Sequence, residues 1–501
     1  MTSRCDVAVV GAGIAGLTSA ALLAAEGLDV VLLEAHSQSG GCAGTFRRGA
    51  YTFDVGATQV AGFEPGGIHQ RLFRHFGVPL PQAAPLDPGC SVWLAGETTP
   101  IRLWRDPERW QAERLRQFPG SARFWELCAA LHRSNWAFAA RDPVLPPRTG
   151  WDLAQLLGAL RPGTLASGLF MTATIADLLR LSGGGGDGRL RRFLDLQLKL
   201  YSQEPADRTA ALYGATVLAM AQAPLGLWHL QGSMQQLSQA LELALAQAGG
   251  QLRLRHRLER LQSNPLGGWS LEGAGPARRP FRLQADEVVC TLPPQALQGL
   301  LGAALPRAYS RRIEACGDPS GALVLYGAVP RQLLPPDLGL HAQLEWRDPG
   351  NLFVSISAEA DGRAPAGQAS LIASVFTPAR PWFGLEEAVY QRRKQKALAG
   401  IHAGLEVLLG LRPEQFLHAE LATPRGWAGW TGRPFGFVGG LGQHPSRFGP
   451  FGLASRTPVP GLWLCGDAIY PGEGTAGVSL SALTACRQLL ARRGHALEIG
   501  A

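Results

Sequence analysis

The chain has 501 residues, 46% of them hydrophobic, more than one small core accommodates, so two lobes or more are expected. Its formal charge of +8 is almost all arginine, in clusters at 189–192, 392–396 and 492–493 too short for a nucleic-acid-binding tail; they fit solvated helix faces first and an anionic membrane surface second. The 63 glycines and 36 prolines follow no period, which excludes a repeat or collagen-like fold, and no two of the 8 cysteines stand at C-x-x-C spacing, so neither a metal site nor a redox dithiol is expected.

Residues 5–10 read as a short buried strand. Gly11-Ala12-Gly13-Ile14-Ala15-Gly16 follows at once, residues 14–26 have helical spacing, and the apolar strand 29–33 ends at Glu34-Ala35. A strand, glycine turn, helix and strand within about 30 residues predicts a dinucleotide site. Gly11 permits the tight turn, Gly13 lets backbone approach a pyrophosphate, and Gly16 lets helix and strand pack closely. The helix start at Ile14 and Ala15 offers amide groups and a positive dipole end to phosphates. Glu34 stands where a carboxylate accepts from ribose hydroxyls, and it disfavours a 2′-phosphate. The apolar N-terminus, broken by these glycines, reads as part of the fold and not as a signal peptide.

A second glycine cluster, Gly40-Gly41-Cys42-Ala43-Gly44, lies close behind the ribose acid and favours FAD over NAD. Segment 71–225 is mostly helical in pattern, with Pro-rich loops at 79–88 and 143–147. The four glycines 183–186 lack a following Lys-Ser or Lys-Thr, so they predict a flexible loop and not a phosphate loop. The longest uncharged stretch, 209–240, contains Gln222, Pro224, His229 and Gln231, which argues against a spanning helix. Met220, Leu225, Leu227 and Trp228 within it form an apolar candidate for a substrate entrance or membrane contact, with ordinary core as the default.

Residues 235–248 then read as a helix and 251–261 as a strand. Runs at 322–328, 352–357 and 371–376 read as strands and 388–409 as a helix. Together with helices they would roof a substrate tunnel. Trp427 and Trp430 flank Gly429; they line the channel or pack a long loop. Near the C-terminus, 462–465 reads as a strand ending at Gly466-Asp467. Pro471-Gly472-Glu473-Gly474-Thr475-Ala476-Gly477-Val478 leads into a helix over 479–490. A second glycine-preceded helix start suits the flavin end of FAD, where amides stabilise charge at N1 and O2 and Asp467 meets a ribityl hydroxyl. Glu473 is a candidate weak base; the same position suits a structural carboxylate at a helix start. His229 and Gln59 are weaker candidates.

These motifs resemble the flavin-containing amine oxidase and phytoene desaturase superfamily from end to end. Tyr51-Thr52-Phe53-Asp54-Val55-Gly56-Ala57 and the segment around Glu473 resemble its carotenoid desaturase and isomerase branch, and with residues 58–69 they are similar to carotenoid C-3′,4′ desaturases. The resemblance implies an α/β fold: a Rossmann-type, glutathione-reductase-like FAD-binding domain made of residues 1–70, 226–304 and 436–501, and a mixed α+β substrate domain made of 71–225 and 305–435. It implies that Gly41, Cys42 and the backbone near Leu258 contact FAD, the last at the adenine. It implies a carotenoid substrate losing hydride and proton, no metal, peripheral membrane contact on the cytoplasmic side, and quinone or oxygen as electron acceptor. A carotene cis–trans isomerase is the nearest alternative. An amine oxidase is disfavoured because the three lysines, Lys199, Lys394 and Lys396, lie outside the recognisable flavin segments. A non-catalytic GTPase-escort-like protein shares a related nucleotide fold.

Overall fold

A computed structural model describes residues 3–265 and 267–500. The opening strand, Ser3–Val10, is buried on both faces from Val7 to Val10, which explains its unbroken apolar run. Val30–Leu33 pairs with it in parallel on one side and Pro280–Cys290 on the other. Gln251–Arg253 and Leu462–Leu464 extend the parallel sheet outward. The C-terminal ends of these strands therefore share one edge, the place where an open α/β sheet binds its ligand. The first part of Pro280–Cys290 pairs antiparallel with Trp269–Ala274, which pairs antiparallel with Arg257–Ser263. Helices Ile14–Ala25, Gln235–Gln247 and Thr475–Arg492 pack on this sheet in a single apolar core that contains Leu17, Leu22, Leu241 and Leu489.

The expected single strand over 251–261 is two strands. Arg255 has φ of 58°, a left-handed bend that sends Gln251–Arg253 into the parallel sheet and Arg257–Ser263 into the antiparallel extension. The last helix begins at Thr475, earlier than its apolar periodicity indicated, because Gly474 takes φ of 88° and reverses the chain there.

The second lobe is built on another seven-stranded sheet. Its long strands, Ser320–Pro330 and Gln368–Pro378, pair antiparallel along their whole length, and each outruns the apolar run seen in the sequence. Leu352–Ile356 and His341–Leu344 continue the sheet antiparallel, and Ser91–Trp93 adds in parallel, followed by Ile101–Arg102. His418–Ala422 closes the opposite edge. Helix Glu387–Leu409 covers one face with Ile401, Leu405 and Leu408. Helices between Pro107 and Val217 form a separate apolar cap around Trp110, Phe124 and Phe193. Among the described residues no helix is long and apolar enough to cross a membrane.

One buried ionic knot ties the lobes. Asp54, at the end of strand Tyr51–Asp54, accepts from Thr45 Oγ1 at 2.9 Å, from the Met234 amide at 2.9 Å and from the Arg363 guanidinium. Arg363 also donates to the Leu230 carbonyl at 3.0 Å and lies 3.4 Å from Asp361, whose Oδ2 meets His229 Nε2 at 2.6 Å. Every member is buried, so a lost partner leaves an uncompensated charge. His229 is thus a member of the knot. Asp54→Ala is expected to lower unfolding stability by about 3–5 kcal/mol in urea titrations. Asp286→Ala, which removes an exposed partner of Arg4, is expected to cost under about 1 kcal/mol.

Candidate active site

A cavity of about 750 Å³ opens at the shared strand edge and continues beneath the second lobe. Every site residue expected from the sequence lines it except Gly16 and the weaker candidate His229: Gly11, Gly13, Ile14 and Ala15 from the first turn, Glu34 and Ala35 from the second strand end, Gly41 and Cys42 from the second glycine cluster, Leu258, then Gly466, Asp467, Glu473, Gly474, Thr475, Ala476 and Val478, with Trp427 and Trp430. Gly16 works from behind. A Cβ there would stand 1.7 Å from the Gly11 carbonyl oxygen, so the residue holds the helix against the turn.

The first glycine turn is arranged for a ligand. Gly11 takes φ of 97°. The Gly11 amide bonds the Leu33 carbonyl at 2.8 Å, and the Gly40 amide bonds the Ala12 carbonyl at 2.8 Å. A Cβ on Gly13 would meet no protein atom within 4 Å, and neither would one on Gly474. Both glycines leave open space at a helix start on the same cavity, where amides and dipole favour an anion or an electron-rich ring. Glu34 accepts from the Ala12 amide and the His36 amide, each at 2.7 Å, which fixes its carboxylate on the cavity wall. Thr475 Oγ1 and Glu473 Oε1 are buried there without a protein partner. Those orphaned polar atoms, the open space at both glycines and the anchored acid fit an extended dinucleotide with a polar ring at its far end.

Sequence reading missed several neighbours. Arg433 donates to both oxygens of Asp467, at 2.8 and 2.7 Å, and reaches Cys42 Sγ at 3.7 Å. Asp467 is therefore held by a buried guanidinium. Burial pushes the Cys42 thiol up, against the pull of Arg433, so it stands as a neutral thiol. Gly432-Arg433-Pro434 carries no motif that marks it. Trp430 donates to the Gly41 carbonyl at 3.2 Å and lies 4.3 Å from the His36 ring, on the Glu34 side of the cavity. Trp427 packs against Gly56, where a Cβ would come within 2.9 Å of its ring. This contact explains the small residue in the 51–57 motif.

Glu473 Oε2 accepts from Gln203 Nε2 at 2.7 Å and from the Gly440 amide at 3.2 Å. Burial pushes its carboxyl up to about 8, in opposition to those two donors, so it is largely protonated at neutral pH. Lys199, although outside the recognisable flavin segments of the sequence, lines the same cavity. Its ammonium donates to the Gln203 carbonyl at 2.7 Å, and burial pulls its pKa down. Being one of only three lysines was its single mark in the sequence. The remaining walls are mainly apolar, with Leu196, Leu200, Val217, Met220, Leu227 and Phe353, interrupted by Lys199, Gln343, Asn351 and Ser374. Met220 and Leu227 line the cavity, Leu225 is buried and Trp228 is half-buried. Gln59 also lines the cavity, its amide donating to the Gly89 carbonyl at 2.8 Å. The glycine run 183–186 forms a turn between helices Ile175–Leu181 and Gly188–Ser202 and does not line the cavity.

The model of the flavin containing amine oxidoreductases matches residues 14–490. The chain belongs to that family. It is an FAD-dependent oxidoreductase with the family's FAD-binding α/β fold. It is 28% identical to hydroxyneurosporene desaturase of Cereibacter sphaeroides over 97% of both chains. It is 23% identical to the chloroplastic prolycopene isomerase of Arabidopsis thaliana over 99% of this chain and 85% of that one. The solved structure of wild-type putrescine oxidase bound to putrescine superposes with a TM-score of 0.65 at 17% identity, covering 99% of this chain and 100% of that one, a likeness of fold.

Gly13→Val is expected to keep the apoprotein's circular dichroism and melting temperature, because its side chain enters open space, yet to purify colourless. Glu34→Ala should also purify colourless. Gly16→Val should not fold, since its side chain enters the Gly11 backbone. Flavin absorbance and thermal melts of the three variants check this.

Proposed function

We propose that the chain is an FAD-dependent carotenoid desaturase that takes two hydrogens from a saturated C–C bond beside a conjugated polyene. The supporting observation is a single continuous cavity. Its polar part has the two glycine helix starts, and its apolar part has few charged groups in reach. An apolar lining leaves a long hydrocarbon without unsatisfied polar partners, whereas an amine substrate would lose its hydration there. The full-length similarity to a protein named hydroxyneurosporene desaturase supports the same class, and C-3′,4′ desaturation is the finer assignment we favour.

When bound, the flavin supplies a hydride acceptor. Gly13, Ile14 and Ala15 would cradle its pyrophosphate, with Glu34 on the ribose and Leu258 near the adenine. Asp467, held by Arg433, would meet the ribityl chain, and Thr475, Ala476 and Val478 would meet the ring. The apolar walls exclude water and align the polyene. Loss of the second hydrogen as a proton falls to the chain's own groups. Glu473 is the candidate acceptor: Gln203 and Gly440 hold one oxygen, which leaves Oε1 free. Quinone and oxygen are both suitable terminal electron acceptors.

Anaerobic incubation of the FAD-loaded protein with acyclic carotenes is expected to give products lighter by two hydrogens and absorbing at longer wavelength. Products of unchanged mass would assign the chain to cis–trans isomerisation, the activity in the name of its Arabidopsis relative. The proton-accepting role has a pH signature. A carboxyl raised to about 8 is ionised only above that value, so kcat/KM should climb as pH rises through about 8. Glu473→Gln should flatten this profile and slow turnover by about 100-fold.

A further inference from the structure

We propose that Arg433 is a direct ligand of the FAD diphosphate, supplying the cation that the glycine turns lack. The inference rests on FAD binding and is independent of which substrate is oxidised.

A diphosphate enters a secluded site only with its charge compensated. The start of helix Ile14–Ala25 contributes about half a positive charge, less than a doubly charged group needs. Among the described residues, the lysine and arginine side chains on the cavity wall are Lys199, Arg257 and Arg433. Lys199 donates to the Gln203 carbonyl, on the Glu473 side, and Arg257 is exposed. Arg433 is enclosed, its side chain 10% exposed.

Both side-chain partners of Arg433 flank that helix start. Cys42, with Sγ 3.7 Å from Arg433 Nη1, belongs to the loop packed on the first glycine turn. A Cβ on the neighbouring Gly41 would stand 3.4 Å from the Gly13 Cα. Asp467 follows Gly466, where a Cβ would stand 3.9 Å from the Ala15 Cβ. The guanidinium is therefore tied on two sides to residues that border Gly13 and Ala15, where the diphosphate would lie.

Its hydrogen bonds are one-sided. Nη2 donates to both oxygens of Asp467, at 2.8 and 2.7 Å. Nη1 has only the long contact to Cys42, a neutral thiol, and among the described residues Nε donates to no protein acceptor. A guanidinium presents five N–H donors in one plane and meets phosphate oxygens with paired, charge-assisted bonds. A role confined to holding Asp467 would leave Nε unmet in an enclosed site, at a cost that a ligand oxygen removes.

Isothermal titration of the apoprotein with FAD, ADP and adenosine tests the assignment. ADP carries the diphosphate without the flavin, and adenosine carries neither. Arg433→Met should weaken FAD and ADP by roughly 100-fold each, with adenosine affinity and circular dichroism unchanged. Arg433→Lys keeps the charge and loses the planar fork, so it should lose about tenfold. Because Arg433→Met also strips Asp467 of its partner, the comparison is repeated in an Asp467→Asn background. With no carboxylate left to hold there, Arg433→Met should again weaken ADP by roughly 100-fold. The proposal is overturned if ADP affinity does not change, if adenosine weakens as much as ADP, or if FAD weakens while ADP does not, which would put the guanidinium at the flavin half. It is equally overturned if the loss disappears in the Asp467→Asn background, which would make Arg433 a positioning residue for Asp467. Carotene conversion plays no part in these titrations, so the desaturase assignment stands or falls separately.

Discussion

Two helices, one near each end of the chain, lie side by side, and the site depends on that contact. Ile14–Ala25 and Thr475–Arg492 meet near their starts, with Thr18 Oγ1 and Ser479 Oγ 3.5 Å apart. Deeper along the pair, Cys486 Sγ donates to the Ser19 carbonyl, and Ser19 Oγ lies 3.3 Å from Cys465 Sγ. Small side chains permit this approach. Because the helices run the same way, both N-termini open on one cavity. A single extended cofactor can then meet amides and positive dipole ends at both its phosphates and its ring.

The second lobe is held over that cavity by buried charge. Asp54 and Arg363 come from segments more than 300 residues apart in the chain, and their union fixes how the substrate sheet sits over the glycine turns. A buried ion pair need not add net stability over an apolar replacement, but its geometry admits few alternatives. The same logic recurs beside the second glycine helix start, where Arg433 crosses from the second lobe to grip Asp467. Gln203 likewise joins the helical cap to Glu473, and its Oε1 accepts from the Ser320 amide at 3.0 Å, at the entry to the longest strand pair.

Glu473 illustrates how position converts a residue type into chemistry. In water its carboxyl would be ionised at neutral pH. Here desolvation outweighs the hydrogen bonds from Gln203 and Gly440, while one oxygen is left unpartnered beside the cavity. Lys199, linked to Glu473 through the carbonyl and side-chain amide of Gln203, is shifted in the opposite sense by burial.

Local backbone demands were legible in the amino-acid sequence: where glycine must turn, where apolar strands end, where a helix start faces an anion. These follow from sterics and spacing over a few residues, so Gly11, Gly13, Gly16, Glu34 and Gly474 could be assigned before any fold was known. Four short strands, Ser91–Trp93, Ile101–Arg102, His341–Leu344 and His418–Ala422, were not legible, because two to five residues become a strand only when a distant partner supplies the hydrogen bonds. Arg433, Gln203 and Lys199 were invisible for a related reason: each acts across a contact that closes only when segments far apart in the chain fold together. The leucines of residues 150–170 carry the same helical spacing as core leucines, and only the tertiary structure, by leaving Leu153, Leu157, Leu165 and Leu169 uncovered, separated them from the core.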